Sequence, residues 1–227
     1  MSVFQQRVVE LSQHLSRLGF FAATGGNLAL RIDADHMAVT PSAVDYHSMQ
    51  ARDVCIVRLK DLHKVAGEGT PSVESSLHAR VLRRRADVQC TIHTHQPLAS
   101  ACTLFGEALV VDHLPARELL GARVPIVGYA PSGSRWLASK LESAIRPDLN
   151  GYLMRNHGVL CCGPDIETTL QRLEGLEDFC RQYLLDHINT RLQNQPGLRA
   201  ASLPLIAALA GSSSPSVHSF KRAQRQP

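Results

Sequence analysis

The stretch that most constrains how this chain can fold is a short alternating segment that begins at Cys90 and stops at Pro97. Thr91, His93 and His95 recur at every second position, and residues two apart in a β-strand point to the same face. The spacing therefore predicts a strand that presents two imidazoles side by side. Neutral imidazole is a common metal ligand, and a catalytic zinc usually takes three protein ligands. The alternative is a pair of hydrogen-bonded polar side chains at a strand end.

The best candidate for a third ligand is His157. It follows an apolar run within residues 151–162, a segment whose pattern predicts a pair of strands joined near this histidine. The next residue, Gly158, would let the backbone pass close to a site. His93, His95 and His157 are therefore the predicted metal ligands.

Length and composition indicate an ordinary globular protein. The chain has 227 residues, 44% of them hydrophobic, which is enough for one full core without a second domain. No apolar run reaches the roughly 18 residues of a membrane span, and the N-terminus lacks a signal-peptide layout. We therefore expect a cytoplasmic protein that does not bind membranes. The six cysteines lack a Cys-x-x-Cys spacing, so we expect them reduced and buried rather than joined at a thiolate zinc site.

The net charge of +4 belongs to the end of the chain. From His187 onward there are five basic residues and no acidic one, whereas the rest of the chain balances 19 basic residues against 20 acidic ones. A nucleic-acid site would need a basic folded surface with stacking aromatic side chains, and this pattern does not provide one. Residues 189–227 are therefore predicted to be a basic, partly disordered tail, with 203–209 as a possible short helix.

Helical and strand patterns alternate along residues 1–188 and include several hairpins. Helices are predicted at 2–18, from 71 to 85, and at 98–105, 134–145 and 165–188. Strands are predicted at 28–32, 36–40, 54–59, 64–66, around His93, at 108–111, 124–129 and within 151–162. This order predicts an α/β fold, a three-layer α/β/α sandwich with a central, largely antiparallel sheet.

Three corners rich in Gly, Ser and Thr accompany the histidines. They are residues 24–27, ending in Asn27, residues 40–43, which contain Ser42, and the pair Pro71-Ser72. Backbone N–H groups and hydroxyls at such corners bind phosphate or carboxylate oxygens well. Taken singly, each corner is better explained as a turn.

Taken together and in order, these pieces resemble the class II aldolase/adducin family. The resemblance covers residues 5–188 and is carried by residues 26–31, 40–42, 71–78, 93–95 and 156–158. The family includes L-fuculose-phosphate and rhamnulose-phosphate aldolases, ribulose-phosphate 4-epimerases, methylthioribulose-phosphate dehydratases and several decarboxylases. The resemblance implies a divalent cation, usually zinc, with Mn²⁺, Fe²⁺ or Co²⁺ as alternatives, on His93, His95 and His157.

The same resemblance implies roles for other residues. Glu74 falls where the family keeps an acidic proton carrier, and His78, four residues later, would hydrogen-bond to it or simply pack. Asn27, Ser42 and Ser72 fall where the family binds the anionic end of its substrate. His113 falls near where aldolases bring a side chain from a neighbouring subunit, because family members are commonly tetramers. The implied partners are a small molecule and further copies of the chain.

The resemblance implies a metal-dependent lyase that acts on a small sugar phosphate or sugar acid through a metal-stabilised enediolate, as in aldol cleavage. Two residues depart from the aldolase pattern: Ala43 replaces a glycine and Val73 replaces a serine. Both changes weaken a phosphate pocket, so decarboxylation of a sugar acid or aromatic hydroxy acid is the alternative. A non-catalytic, adducin-like scaffold is a third interpretation, which three retained histidines disfavour.

Overall fold

A computed structural model describes residues 2–21 and 25–211. Thr24 of the first predicted corner and the tail residues Lys221, Arg222 and Arg225 lie outside the described residues. The helices are α1 (Ser2–Arg17), α2 (Ser75–Arg84), α3 (Pro97–Cys102), α4 (Leu114–Leu120), α5 (Arg135–Ala144), α6 (Ile166–Asn194) and α7 (Arg199–Gly211). The strands are β1 (Asn27–Arg31), β2 (His36–Val39), β3 (Cys55–Arg58), β4 (Lys64–Ala66), β5 (Cys90–Thr94), β6 (Leu109–Val110), β7 (Arg123–Val124), β8 (Ile126–Val127), β9 (Gly151–Met154) and β10 (Gly158–Gly163).

The centre of the molecule is an eight-stranded sheet in the order β4-β3-β2-β1-β5-β10-β9-β8. Neighbouring strands in it are antiparallel except for the parallel pair β8–β9. Strands β6 and β7 form a separate small ladder. The predicted histidine strand, β5, lies in the middle of the large sheet.

Helices cover both faces of this sheet. Helices α1, α3 and α6 pack over one apolar core, and α2 and α5 pack over the other. The adjacent residues Cys161 and Cys162 of β10 illustrate the division, because one side chain belongs to each core. The predicted three-layer sandwich with a largely antiparallel sheet is confirmed.

The end of the chain differs from the sequence prediction. Helix α6 runs to Asn194, past position 188, and α7 packs against it. The apolar stripe of α6 ends near residue 188, so the helical periodicity alone predicted too early an end for this helix. The division into a domain of 1–188 and a tail stays a prediction. Within the described residues, every helix is too short or too polar to cross a lipid bilayer.

Helix α6 also anchors the segment that follows β5. The buried carboxylate of Glu177 accepts the backbone N–H groups of Leu98 and Ala99, each at 2.9 Å, at the start of α3. Gln96 Nε2 donates to the carbonyl of Leu173 at 2.9 Å. These bonds satisfy the free donors of the helix start and hold the chain immediately after His95 against α6.

Candidate active site

His93 lies in the most protected part of the sheet. In β5 it pairs with Asn27 of β1 on one side and with Leu160 of β10 on the other. Its imidazole is fully buried, and Nδ1 lies 2.7 Å from the carbonyl oxygen of Val159. A carbonyl only accepts, so Nδ1 carries a proton and donates it. In its neutral form the ring would therefore carry its lone pair on Nε2, the nitrogen left free to bind a metal.

The other two histidines converge on that nitrogen. His95 follows directly after β5, and its Nε2 lies 3.1 Å from Nε2 of His93. His157 lies in the loop between β9 and β10, where Asn156 adopts a left-handed backbone conformation with φ of 53°. Asparagine tolerates this conformation better than most residues. One donor atom from each of the three rings lies within 4.8 Å of the other two.

Gly158 makes this convergence possible. A β-carbon at this position would lie 2.4 Å from the Thr94 carbonyl oxygen, 2.7 Å from Cδ2 of His95 and 3.0 Å from Cε1 of His93. Any larger residue would displace the two rings or open the β5–β10 ladder.

The three side chains fit a divalent cation. Three neutral imidazoles form a donor set suited to zinc and to several other first-row metals. Nε2 of His157 is buried, and the carboxylate oxygen of Glu74 that lies 2.7 Å away contacts it without hydrogen-bond geometry, so no hydrogen bond to this nitrogen is found among the described residues. A buried nitrogen in this state is costly unless a ligand engages it.

Glu74 faces the cluster of three histidines. It is the N-cap residue of α2, which begins at Ser75, so it precedes the helix rather than lying in its first turn as the sequence suggests. The residue is 5% exposed. Oε1 lies 2.7 Å from Nε2 of His157 and Oε2 lies 3.2 Å from Nε2 of His93.

Two neutral donors complete the surroundings of this carboxylate. Asn27 Nδ2 donates to Oε2 at 2.8 Å, and the Ser132 hydroxyl donates to Oε1 at 2.6 Å. Burial alone would raise the pKa of Glu74, but its contacts with His157, His93 and Ser132 lower that pKa below its ordinary range. Asn27 and Ser132 each donate to one carboxylate oxygen, which favours the ionised form.

The two predicted serine corners meet beside Glu74. Pro41 and Pro71 form an isolated antiparallel bridge, and Ser72 N donates to Thr40 O at 3.1 Å. The Ser72 hydroxyl oxygen accepts the backbone N–H of Glu74 at 3.2 Å, and its own proton stays available for another acceptor. Ser42 is half-buried at the same corner.

Asn27, which the resemblance assigns to the anionic end of the substrate, lies at this site, but its side chain contacts Glu74 and His78. Its amide N–H₂ is directed to Glu74, and its carbonyl oxygen faces His78. The sequence left two alternatives for His78, a hydrogen bond to Glu74 or packing alone. Its ring is buried and bonds to Asn27 and Thr91 rather than directly to Glu74.

Ala43 keeps the backbone conformation for which a glycine is usual. Its φ is 57°, in the left-handed region that disfavours L-residues with a β-carbon. The departure from the aldolase pattern therefore leaves the turn in place, while adding a methyl group at its exposed edge.

His113 lies elsewhere on the chain. It is exposed at the start of α4, a helix that the sequence pattern did not indicate. It borders a cleft of about 1040 Å³ between α4 and α6, together with Phe179 and Tyr183. Glu74 and the three clustered histidines are not among the described residues that line this cleft.

Ser132 is a contact of Glu74 that the sequence did not single out. It lies in the segment Pro131-Ser132-Gly133-Ser134, which precedes α5. This is a Gly- and Ser-rich helix start of the same kind as the corners that were singled out. Its composition was a usable signal, but nothing in the sequence indicated which corner it would face.

The fold and the site define a protein of class II aldolase architecture. The chain belongs to the class II aldolase and adducin family, because residues 6–184 match that family's N-terminal domain. This match confirms the resemblance noted in the sequence.

Individual relatives agree with this assignment. An L-fuculose phosphate aldolase of Methanococcus maripaludis is 26% identical over 170 residues, which are 74% of this chain and 90% of the aldolase. A methylthioribulose-1-phosphate dehydratase of Yersinia pestis is 31% identical over 172 residues, covering 70% of this chain and 76% of the dehydratase. Both relatives are lyases by name, which supports an enzyme.

Solved structures show the same architecture. An L-fuculose 1-phosphate aldolase superposes with a TM-score of 0.74 at 25% identity, over 82% of this chain and 87% of that one. The L-fuculose-1-phosphate aldolase of Thermus thermophilus superposes with a TM-score of 0.68 at 22% identity, over 84% of this chain and 98% of that one. The latter likeness is one of fold.

Proposed function

We propose that this chain is a divalent-metal-dependent lyase that acts on a small sugar phosphate or sugar acid by a reaction of the aldol-cleavage type. The observation that carries the proposal is the meeting of three imidazole nitrogens, all within 4.8 Å of one another, with the buried carboxylate of Glu74. Such a cluster is more than a scaffold needs, so it supports catalysis over an adducin-like role.

His93, His95 and His157 would hold the cation, and three imidazole donors favour zinc, with Mn²⁺, Fe²⁺ or Co²⁺ as alternatives. A bound cation of this kind supplies Lewis-acid stabilisation of negative charge on neighbouring substrate oxygens. His93 is locked in the required tautomer by the Val159 carbonyl, so the protein has already oriented one ligand.

Glu74 is the proposed proton carrier. Its carboxylate is buried, and its two oxygens face the histidine cluster. It would take a proton from the substrate at one of these oxygens and return it to the product. Asn27 and Ser132 hold the carboxylate from the other side and so fix its direction.

The serine corners are the proposed binding site for the anionic end of the substrate. The Ser72 hydroxyl accepts the Glu74 N–H and can donate its own proton to an anion, and Ser42 lies at the same half-buried corner. Asn27 is committed to Glu74, so fewer donors remain for an anion than the family pattern implies.

Two other reactions have specific support. The dehydratase relative, at 31% identity, favours dehydration of a ketose phosphate. The corner proposed to bind the anion offers fewer donors than the family pattern, because Val73, 66% exposed, stands where the pattern has a serine. This favours a carboxylate substrate and decarboxylation.

His113 belongs to a further part of the proposal. It lies at an exposed helix start instead of beside Glu74, which is consistent with action on the site of a neighbouring subunit. We propose a homo-oligomer, a tetramer by family resemblance, in which the 1–188 domain carries the site.

The test is a product assay on purified protein loaded with Zn²⁺ or Mn²⁺. L-Fuculose 1-phosphate, methylthioribulose 1-phosphate and a small set of sugar acids would be assayed for aldehyde release, dehydration and CO₂ release. Metal-dependent turnover in one of the three assays is expected. A fully loaded protein that turns over none of these substrates, or one whose turnover survives His95→Ala, would contradict the proposal.

A further inference from the structure

His78 is a buried titratable residue that the proposed chemistry does not use directly. It lies on α2 one turn after Glu74 and is fully buried. From its hydrogen bonds we infer that His78 is a positioning residue, which fixes the amide orientation of Asn27 and through it the position of Glu74. The inference rests on the proton-carrier role proposed for Glu74.

The direction of these hydrogen bonds follows from the Asn27 amide. Its Nδ2 lies 2.8 Å from Oε2 of Glu74, and an amide N–H₂ group donates to a carboxylate oxygen. The Asn27 carbonyl oxygen then faces the other way, 2.6 Å from Nε2 of His78. A carbonyl oxygen also only accepts, and therefore Nε2 of His78 must carry a proton.

The other ring nitrogen is assigned by the same reasoning. Full burial lowers the pKa of His78 to about 3, so the ring holds one proton near neutral pH. With that proton on Nε2, Nδ1 accepts the Thr91 hydroxyl at 2.7 Å. The other acceptor near this hydroxyl, the Ala29 carbonyl, is 3.5 Å away and forms at best a weak bond.

The hydrogen bonds thus run in one direction: Thr91 donates to His78, His78 donates to Asn27, and the Asn27 amide donates to the Glu74 carboxylate. This hydrogen-bond series is built on rigid elements, because Thr91 pairs with Ala29 and Asn27 pairs with His93 in the same β1–β5 ladder. Without His78, the Asn27 amide can rotate and present its oxygen to Glu74, which would repel the carboxylate.

This hydrogen-bond series gives Asn27 a different role from the one that the family resemblance implies for its position. Its N–H₂ group is aimed at the proton carrier, so its first effect is on Glu74 rather than on the substrate anion. The competing interpretation is a set of satisfied core hydrogen bonds, which would affect stability alone.

The first test reads the tautomer and needs no substrate. Full-length, zinc-loaded protein with ¹⁵N-labelled histidine would be examined by NMR at neutral pH. The His78 signals would be assigned by their loss in His78→Gln. A neutral ring protonated on Nε2 is expected. A ring protonated on Nδ1, or a charged ring, would reverse the Asn27 amide and overturn the inference.

The second test compares two amide replacements. His78→Gln can place an N–H near the position of Nε2, whereas the shorter His78→Asn reaches only toward Thr91. For whichever substrate the wild type accepts, we expect His78→Asn to lower kcat by about tenfold to a hundredfold, the scale seen for supporting residues around a site. KM and zinc content should stay near wild type, and His78→Gln should recover most of the loss.

Thr91 supplies a second pair of variants if His78→Asn folds poorly. Thr91→Val removes the hydroxyl at nearly constant shape and should lower kcat, while Thr91→Ser should restore it. Equal kcat in both members of either pair, or loss of zinc in the impaired member, would contradict the positioning role. If the wild type accepts no substrate, the proposed function fails, and the tautomer measurement alone then decides this inference.

Discussion

The imidazole of His95 lies against the backbone of Gly158, with Cδ2 only 2.7 Å from where a β-carbon on that glycine would be. His95 follows directly after β5 and Gly158 begins β10, and these two strands are neighbours in the sheet. The glycine is therefore part of the geometry of the histidine cluster, although it contributes no ligand atom itself.

Gly158→Ala should weaken metal binding without preventing folding. The added methyl group collides with the His95 and His93 rings and with the Thr94 carbonyl, so the ligands separate. We expect zinc affinity to fall by about tenfold or more, measured by competition with a chromogenic chelator. Gly197→Ala is the matched control, because its β-carbon would meet nothing within 4 Å. Equal affinities for the two variants would contradict this account.

Metal content should depend on the three histidines. Purified protein should carry close to one divalent ion per chain, and His95→Ala should lose most of it, as measured by elemental analysis. His63→Ala, at an exposed histidine, should keep it. Retention of full metal by a triple substitution of His93, His95 and His157 would refute the ligand assignment.

Glu74→Gln should separate metal binding from turnover. Glutamine keeps the shape of the side chain but cannot take up a proton from the substrate. We therefore expect the metal to remain on the three histidines while kcat falls by roughly a hundredfold or more. Parallel measurements of zinc content and kcat check this expectation. Near-native turnover with metal bound would make Glu74 a structural helix-cap residue.

His113 should act on a neighbouring subunit. In a mixture of His113→Ala and Glu74→Gln proteins, some sites would combine an intact His113 with an intact Glu74, so part of the activity should return. Subunit exchange would be confirmed with differently tagged chains. No recovery after confirmed exchange would mean that His113 acts within its own chain or has no role.

His78 should make the stability of the protein sensitive to acid. Burial lowers its pKa from 6.5 to about 3, so below pH 6.5 the unfolded chain binds a proton that the native chain does not. Stability is then lost as pH falls through that window, by up to about 1.4 kcal/mol per pH unit. Relative to His78→Gln, the free energy of unfolding of the wild type should fall by roughly 2 kcal/mol between pH 7 and pH 5. Denaturant titrations check this difference, and a constant difference would contradict it.

The order and type of most elements could be predicted from local patterns. Alternation marked β5, and continuous apolar runs marked the buried strands β9 and β10. Helix α4 was missed because its seven residues bury only Leu120 and so carry almost no periodic signal. The end of α6 was misplaced because the helix continues where its apolar stripe stops.

The local sequence also singled out the residues that gather at the site. The alternation of His93 and His95, the histidine of the β9–β10 loop and the serine corners were all visible as short-range patterns. Such patterns depend on neighbours within a few residues, and a single chain displays them directly.

Only the tertiary structure decided which atoms face each other. Asn27, Ser132 and Glu74 are far apart in sequence, and their hydrogen bonds exist because β1, α2 and the segment before α5 pack at one end of the sheet. The orientation of the Asn27 amide and the tautomer of His78 follow from those contacts. The sequence determines which donors and acceptors are present, but their partners depend on distances that are set when the layers pack.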